Sequence, residues 1–238
     1  MSLALFSAGA AASRELAPEA ARRGCTVIDN SSAWRMDPDV PLVIPEVNPD
    51  ALASIPKGIV ANPNCSTIQL LVALAPLHRA ARLVHVFVAT YQAASGKGHA
   101  AVEDLLAQER ALAAGEAVSP TVLPGQLARN VLMDWKAASG PDADWSEEEL
   151  KMIHETRKIL GDSSIGVSPT TVRVPVVTGH SEAVVARFSR PMSAAEAVTS
   201  STPVSARSMR ARLARIGTRS QPGNPVLEPL FRAVRANH

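Results

Sequence analysis

Apolar and polar positions along the chain fall into two rhythms, short apolar runs and longer amphipathic stretches, separated by glycine and proline. Leu3 to Phe6 is a short apolar run ending at Ser7-Ala8-Gly9. An alanine-rich segment with charges at Arg14, Glu15, Glu19, Arg22 and Arg23 then runs to Gly24. This order predicts strand, turn and helix, with a glycine just past the helix end. Cys25 to Asp29 (CTVID) reads as a strand of a parallel sheet covered by helices on both faces. From Asp37 to Pro63 prolines recur, which predicts extended segments and turns, including the apolar pieces Pro41 to Val47 and Gly58 to Ala61.

After Asn62-Pro63-Asn64, Cys65-Ser66-Thr67 opens an apolar stretch of helical length, so Cys65 sits on a strand-to-helix turn. Leu83 to Gln92 (LVHVFVATYQ) is β-branched and apolar, a central strand. Ala94-Ser95-Gly96-Lys97-Gly98 leads into an amphipathic helix from about His99 to Ala114 that Gly115 ends. Glu147 to Leu160 is a second such helix, with Ser146 and Glu149 spaced as a capping box. Val172 to Val177 and Glu182 to Phe188 read as two strands joined around Thr178-Gly179-His180, and no internal repeat occurs.

Composition narrows the class. The 238 residues are 46% apolar and 19% charged with a formal net charge of +2, which excludes disordered and collagen-like chains. No run reaches membrane-spanning length and the N-terminus lacks a basic signal region, so a cytoplasmic protein without a membrane partner is expected. Aromatic residues at 3% argue against a base-stacking surface and hence against nucleic acid. The charge is uneven: residues 199 to 238 hold seven arginines against the single acid Glu228.

Two cysteines supply neither a disulfide framework nor a four-cysteine zinc site. Cys25 falls in a strand pattern and reads as core. Cys65 opens a helix, where unpaired backbone N–H groups and the positive end of the helix dipole favour the thiolate. It is therefore either a nucleophile or, like many cysteines, a small buried apolar residue. His180, in a glycine-preceded turn, is either a base for such a nucleophile or a structural histidine. His85 falls inside a strand pattern, and His78, His99 and His154 show no ligand spacing, so no metal site is expected.

Several longer words carry a resemblance. FSAG at 6–9, IDNSSAWRMDPDVPLVIPEVN at 28–48, ANPNCSTIQLLVAL at 61–74, TYQAASGKG at 90–98, EEELKMIHETRKILGD at 147–162 and VRVPVVTGHSEAV at 172–184 occur in the order and approximate spacing of the aspartate-semialdehyde dehydrogenases. From about residue 3 to about residue 198 the chain resembles bacterial members of that family. The resemblance implies an α/β fold: part of a dinucleotide-binding parallel sheet, then an α+β catalytic and dimerisation domain like the C-terminal domain of glyceraldehyde-3-phosphate dehydrogenase. The implied boundaries are 1–63 for the C-terminal part of an NADP-binding domain, 64–198 for the catalytic domain and 199–238 for a divergent basic tail.

The implied reaction is the NADPH-dependent reductive dephosphorylation of aspartyl phosphate to aspartate semialdehyde. It belongs to amino-acid biosynthesis, on the routes to lysine through diaminopimelate, to threonine and to methionine. By resemblance Cys65 is the nucleophile, His180 the general acid/base and Gln92 the residue that orients the intermediate. Arg173 takes the substrate carboxylate, Glu148 and Lys151 place its amino group and phosphate, and Arg35 and Asn64 complete the phosphate pocket. Ser7, Ala8, Gly9, Ser95 and Gly96 match cofactor-contacting positions. Chemically, a substrate bearing an ammonium, a carboxylate and a phosphate needs one acid and several bases around a thiol, which Glu148, Arg35, Lys151 and Arg173 supply. Without the surrounding words, an arginine such as Arg35 would read as a solvated charge, and Glu148 with Lys151 as a surface pair. A homodimer is implied as well.

The chain also departs from the family pattern. It contains no GATGAVG-like segment, reads as starting about 70 residues into the pattern, and lacks a DNxRKGAA-like segment between Thr199 and His238. Weakened NADP binding and impaired turnover are therefore expected. The tail reads as a replaced C-terminal end or as a basic arm for an acidic partner. Two rival functions stand beside the first. One is N-acetyl-glutamyl-phosphate reductase, against which NPNCST, EExK and RVPVxxGH speak. The other is a non-catalytic remnant or interaction module of the same fold.

Overall fold

A computed structural model describes residues 2–201, so the basic tail expected at 199–238 lies outside the described residues from position 202 onward. The chain divides into two compact units. Among the described residues the first comprises 2–85, 154–166 and 186–201, and the second 86–153 and 167–185.

The first unit is built on a parallel sheet. Strands β1 (Ser2–Phe6), β2 (Cys25–Asp29) and β3 (Ile59–Ala61) pair in the order β1-β2-β3, with Phe6, Asp29 and Ala61 in register. Helix α1 (Ala10–Arg22) connects the first two strands. Gly9 precedes it with φ 87°, a conformation that side chains rarely adopt, which explains the glycine at the end of the Ser7-Ala8-Gly9 turn. Ala17, Val27, Val40, Leu42, Ile44, Ile59, Ala61, Leu71 and Ile159 form the core. The proline-rich segment before β3 is irregular as expected, and Leu42 adds one parallel bridge to Ala61. Helix α2 (Cys65–Ala81) buries Leu70, Leu71, Leu74 and Ala75, so it is apolar over much of its circumference. The edge strand β1 leaves Leu3 and Leu5 exposed at 60% and 76%.

Strand β4 (Leu83–Gln92) is the centre of a second sheet, of order β5-β4-β6, with β5 at Gly166–Arg173 and β6 at Ser181–Phe188. The expected strand at Val172 to Val177 is displaced toward the N-terminus. Only Val172 and Arg173 are in β5, and residues 174–177 leave the sheet, where the Val176 and Val177 carbonyls accept from the Ala94 and Ser95 amides. Pro169 and the polar GVSPTT composition conceal this strand in the sequence. Strand β5 lies at an edge of this sheet, a position that tolerates proline.

Helix α3 (His99–Ala114) ends at Gly115 with φ 74°, and helix α4 (Glu147–Leu160) carries the expected capping box. There Ser146 Oγ accepts from the Glu149 amide at 3.2 Å, and the Glu149 carboxylate accepts from the Ser146 amide at 2.8 Å. In the second unit Asp104, buried in α3, accepts the amides of Thr121, Val122 and Leu123, while Gln108 accepts those of Leu127 and Ala128. Side-chain acceptors thus replace a backbone ladder for the irregular segment that leads to Asp134. A short helix α5 (Ala194–Ser201), unforeseen from the sequence, packs on α2 in the first unit. Among the described residues no helix is long and apolar enough to cross a membrane.

Candidate active site

Cys65 is the first residue of α2, and it is exposed. The residue before it, Asn64, caps the helix: its side-chain oxygen accepts from the Ser66 amide at 3.0 Å and the Thr67 amide at 3.3 Å. Because Cys65 is exposed, the reading of it as a small buried apolar residue does not hold. Asn64 is in turn held from below. Its own amide donates to Glu155 Oε2 at 2.6 Å, and Glu155 Oε1 accepts from Arg35 Nη1 at 3.1 Å. Arg35 also donates to the Asn30 carbonyl, and its side chain is only 11% exposed, so it is no solvated surface charge. Lys158, on the same helix as Glu155, donates to the carbonyls of Arg35, Asp37 and Val40. The first unit therefore brings Arg35, Asn64 and Cys65 together.

The second unit gathers the remaining substrate candidates into two groups. In one, Gln92 Nε2 donates to Glu148 Oε1 at 3.3 Å and Lys151 Nζ to Glu148 Oε2 at 3.0 Å. Glu148 is 4% exposed, so the pair is a buried acid answered by a base, unlike a solvated surface pair. In the other group, Arg173 is fixed from three sides. Nε donates to Asp134 at 2.8 Å, Nη1 donates to the Ala93 carbonyl at 2.7 Å, and the guanidinium lies 5.1 Å from the centre of the Trp135 ring. Nη2 makes no hydrogen bond among the described residues, which leaves a side of the guanidinium for an anion.

His180 is placed by its backbone neighbour. The Ala93 amide donates to His180 Nδ1 at 3.0 Å, so the neutral ring carries its hydrogen on Nε2. Burial pushes the imidazole below its ordinary 6.5, the Arg173 guanidinium adds to the push, and Glu148 opposes it. Gly96 lies against this ring. A Cβ built on it would stand 2.8 Å from His180 Cε1 and 2.9 Å from Nε2. Of the other cofactor candidates, Ser95 is anchored through its amide to the Val177 carbonyl. Ser7 accepts from Asn30 Nδ2 at 3.4 Å beside the Ala8-Gly9 turn at the start of α1.

The sequence reading missed Asp134 and Glu155, the acids that hold the two key arginines. Asp134 is 1% exposed in its side chain and also takes Lys97 at 3.1 Å. Its only sequence signal is an isolated acid in the apolar stretch NVLMDW. Glu155 lies seven residues after Glu148, and Lys158 seven after Lys151, so the repeat of acid and base at two helical turns was the signal available.

A parallel sheet whose glycine-headed turn opens a helix, with a cysteine at a later helix start and a separate acid–base cluster, defines an α/β protein of the dehydrogenase type. The semialdehyde dehydrogenase dimerisation domain matches residues 74–206, more than half of the chain, and the semialdehyde dehydrogenase NAD binding domain matches residues 1–55. The chain belongs to the semialdehyde dehydrogenase family. Part of the nucleotide-binding domain is therefore present at the N-terminus.

Among curated relatives, the aspartate-semialdehyde dehydrogenase of Aquifex aeolicus is 50% identical over 199 residues, covering 82% of this chain and 57% of the relative. That of Bacillus subtilis is 45% identical over 197 residues, covering 80% of this chain and 56% of the relative. The chain thus spans little more than half the length of these proteins. Among solved structures, aspartate semialdehyde dehydrogenase II of Vibrio cholerae superposes with a TM-score of 0.80 at 44% identity, covering 84% of this chain and 59% of that one. The Candida albicans enzyme, solved with NADP, gives 0.62 at 25% identity, covering 83% of this chain and 54% of that one. The fold is accordingly the two-domain α/β architecture of these enzymes, as the sequence predicts.

Proposed function

We propose that this chain carries the catalytic chemistry of an aspartate-semialdehyde dehydrogenase, acting on aspartyl phosphate through a thioester on Cys65. The observation that carries the reading is the exposed Cys65 at the capped start of α2. A thiolate there attacks the acyl carbon of the substrate, the C–O bond to phosphate breaks, and inorganic phosphate leaves with the thioester on sulfur. Reduction of the thioester carbonyl then expels the thiolate and yields the aldehyde. NADPH, when bound, supplies the hydride for that reduction.

The other predicted site residues divide the remaining work. Arg173, whose Nη2 makes no hydrogen bond among the described residues, takes the substrate carboxylate. Glu148 takes the amino group, and Lys151 and Arg35 take the phosphate. Arg35 retains a buried Nε without a hydrogen-bond partner among the described residues, which supports an anion-binding role. Gln92, tied to Glu148, orients the intermediate. His180 meets the reacting oxygen through Nε2–H and stabilises negative charge there. Proton uptake requires release of the Ala93 amide from Nδ1.

Ser7, Ala8 and Gly9 at the start of α1 in the first unit would contact the cofactor, and Ser95 and Gly96 of the second unit match cofactor-contacting positions by resemblance. Residues 1–238 contain no GATGAVG-like segment, so this chain by itself holds NADPH weakly and turns over slowly. The reaction serves the biosynthesis of lysine, threonine and methionine. The chain pairs with a second copy through the second sheet, where Phe87 and Tyr91 of β4 and Val185 of β6 are exposed at 52%, 42% and 59%.

The test is intact-mass analysis of the chain incubated with aspartyl phosphate without cofactor. A single aspartyl adduct that maps to Cys65 and is absent in Cys65→Ser is the expected result. A chain that gains no adduct overturns the reading.

A further inference from the structure

We propose that Lys97 is a second cation at the substrate-carboxylate end of the site, and that its charge decides how strongly a substrate bearing that carboxylate is preferred. The inference rests on the reading of Arg173 as the carboxylate residue. Lys97 closes the short turn Ala94–Lys97, and its Nζ donates to Asp134 Oδ2 at 3.1 Å. The same oxygen accepts from Arg173 Nε at 2.8 Å. Two cations that meet at one oxygen stand within about 6 Å of each other, less than the distance over which physiological salt screens a charge.

The charges on these side chains give the contact its meaning. Arg173 and Asp134 as a pair sum to zero, and a neutral pair draws an anion weakly. With Lys97 on the same carboxylate, the three side chains together carry one net positive charge. The side chains of Asp134 and Arg173 are 1% and 4% exposed, whereas that of Lys97 is 34% exposed. The ammonium is thus the member of the trio that an arriving anion meets from solvent. The turn that carries it also lies against the guanidinium, since a Cβ built on Gly96 would stand 3.5 Å from Arg173 Nη1. All of these groups belong to the second unit.

A lysine that merely compensates a buried acid would matter to folding and not to the choice of substrate. The experiment therefore reads a ratio. Acylation of Cys65 is followed by intact mass with aspartyl phosphate and, separately, with 3-aminopropanoyl phosphate, which is aspartyl phosphate without its carboxylate. The ratio of the two second-order rates measures the preference for the carboxylate, and a structural loss common to both substrates cancels from it.

One unit of charge about 6 Å away changes that preference by about threefold even in water-like surroundings. Lys97→Gln, with Lys97→Met as a second neutral variant, is accordingly expected to lower the ratio by about threefold or more. Lys97→Glu, a change of two charges, should lower it by about tenfold, and Lys97→Arg should hold it within about 1.5-fold of the parent. A parent ratio above one that does not move in either neutral variant, or that falls no further in Lys97→Glu, overturns the proposal and leaves the reading of Arg173 standing. Equal rates for both phosphates in the parent overturn that reading and the proposal with it. A parent acylated by neither phosphate overturns the proposed reaction as well.

Discussion

Replacing Gly96 with alanine tests whether the backbone on which it sits is held against His180. The glycine does not adopt a left-handed conformation, so alanine meets no backbone strain, and the whole cost arises from the added methyl. That carbon would stand 2.8 Å from Cε1 and 2.9 Å from Nε2 of the imidazole, whereas its 3.5 Å approach to Arg173 Nη1 is ordinary contact. Non-bonded carbons settle near about 3.5–4.0 Å, so the ring must retreat by about 0.7 Å or more. A retreat of that size breaks the 3.0 Å bond from the Ala93 amide to Nδ1. The loss of a buried hydrogen bond and the crowding are each of the order of 1–3 kcal/mol, and a net cost of about 2 kcal/mol is expected. Urea denaturation of the parent, G96A, H180A and the double variant measures it. In the H180A background the methyl enters vacated space, so G96A should cost nothing there or stabilise by about 0.5 kcal/mol through the unfolded chain. An equal loss in both backgrounds would refute the claimed contact.

Two further predictions concern the second unit. Burial pushes the Asp104 carboxyl upward, but the Leu123 and Val122 amides, the Gln108 side chain and the Thr121 amide outweigh it and hold the group below its ordinary 3.8. Its stabilisation is therefore present above pH 3.8 and lost as pH falls through the folded-state value. D104N should lower the melting temperature at pH 7 and flatten the acid limb of a melting-temperature profile, and an unchanged limb would count against the bonds described. Paired substitution of Phe87 and Tyr91 with aspartate should convert a sedimenting dimer to single chains with an unchanged circular dichroism spectrum. A dimer that survives the change pairs through another face.

Much of the architecture was legible because local rules and tertiary demands agreed. The turn before α1, the Gly115 helix end, the Ser146 capping box and the apolar β4 each follow from backbone chemistry that is the same in any fold. Strand β5 was misplaced because its signal is weak: with Pro169 and alternate polar residues it depends on pairing with β4 for its extended form. Helix α5, only eight residues long, was invisible for a similar reason, since so short a helix depends on its packing against α2.

The chemistry divides along the same line. Cys65 at a helix start, the Glu148–Lys151 spacing and the charges suited to an anionic substrate were fixed by residue order, because neighbours on a helix are set by its pitch. Which charges are compensated was decided only by the folded chain. Glu155 lies 120 residues from Arg35 and 91 from Asn64, and Asp134 lies 39 from Arg173. No local periodicity can bring such groups together. Burial makes them interact strongly, and burial is a property of the assembled core rather than of any segment of the sequence.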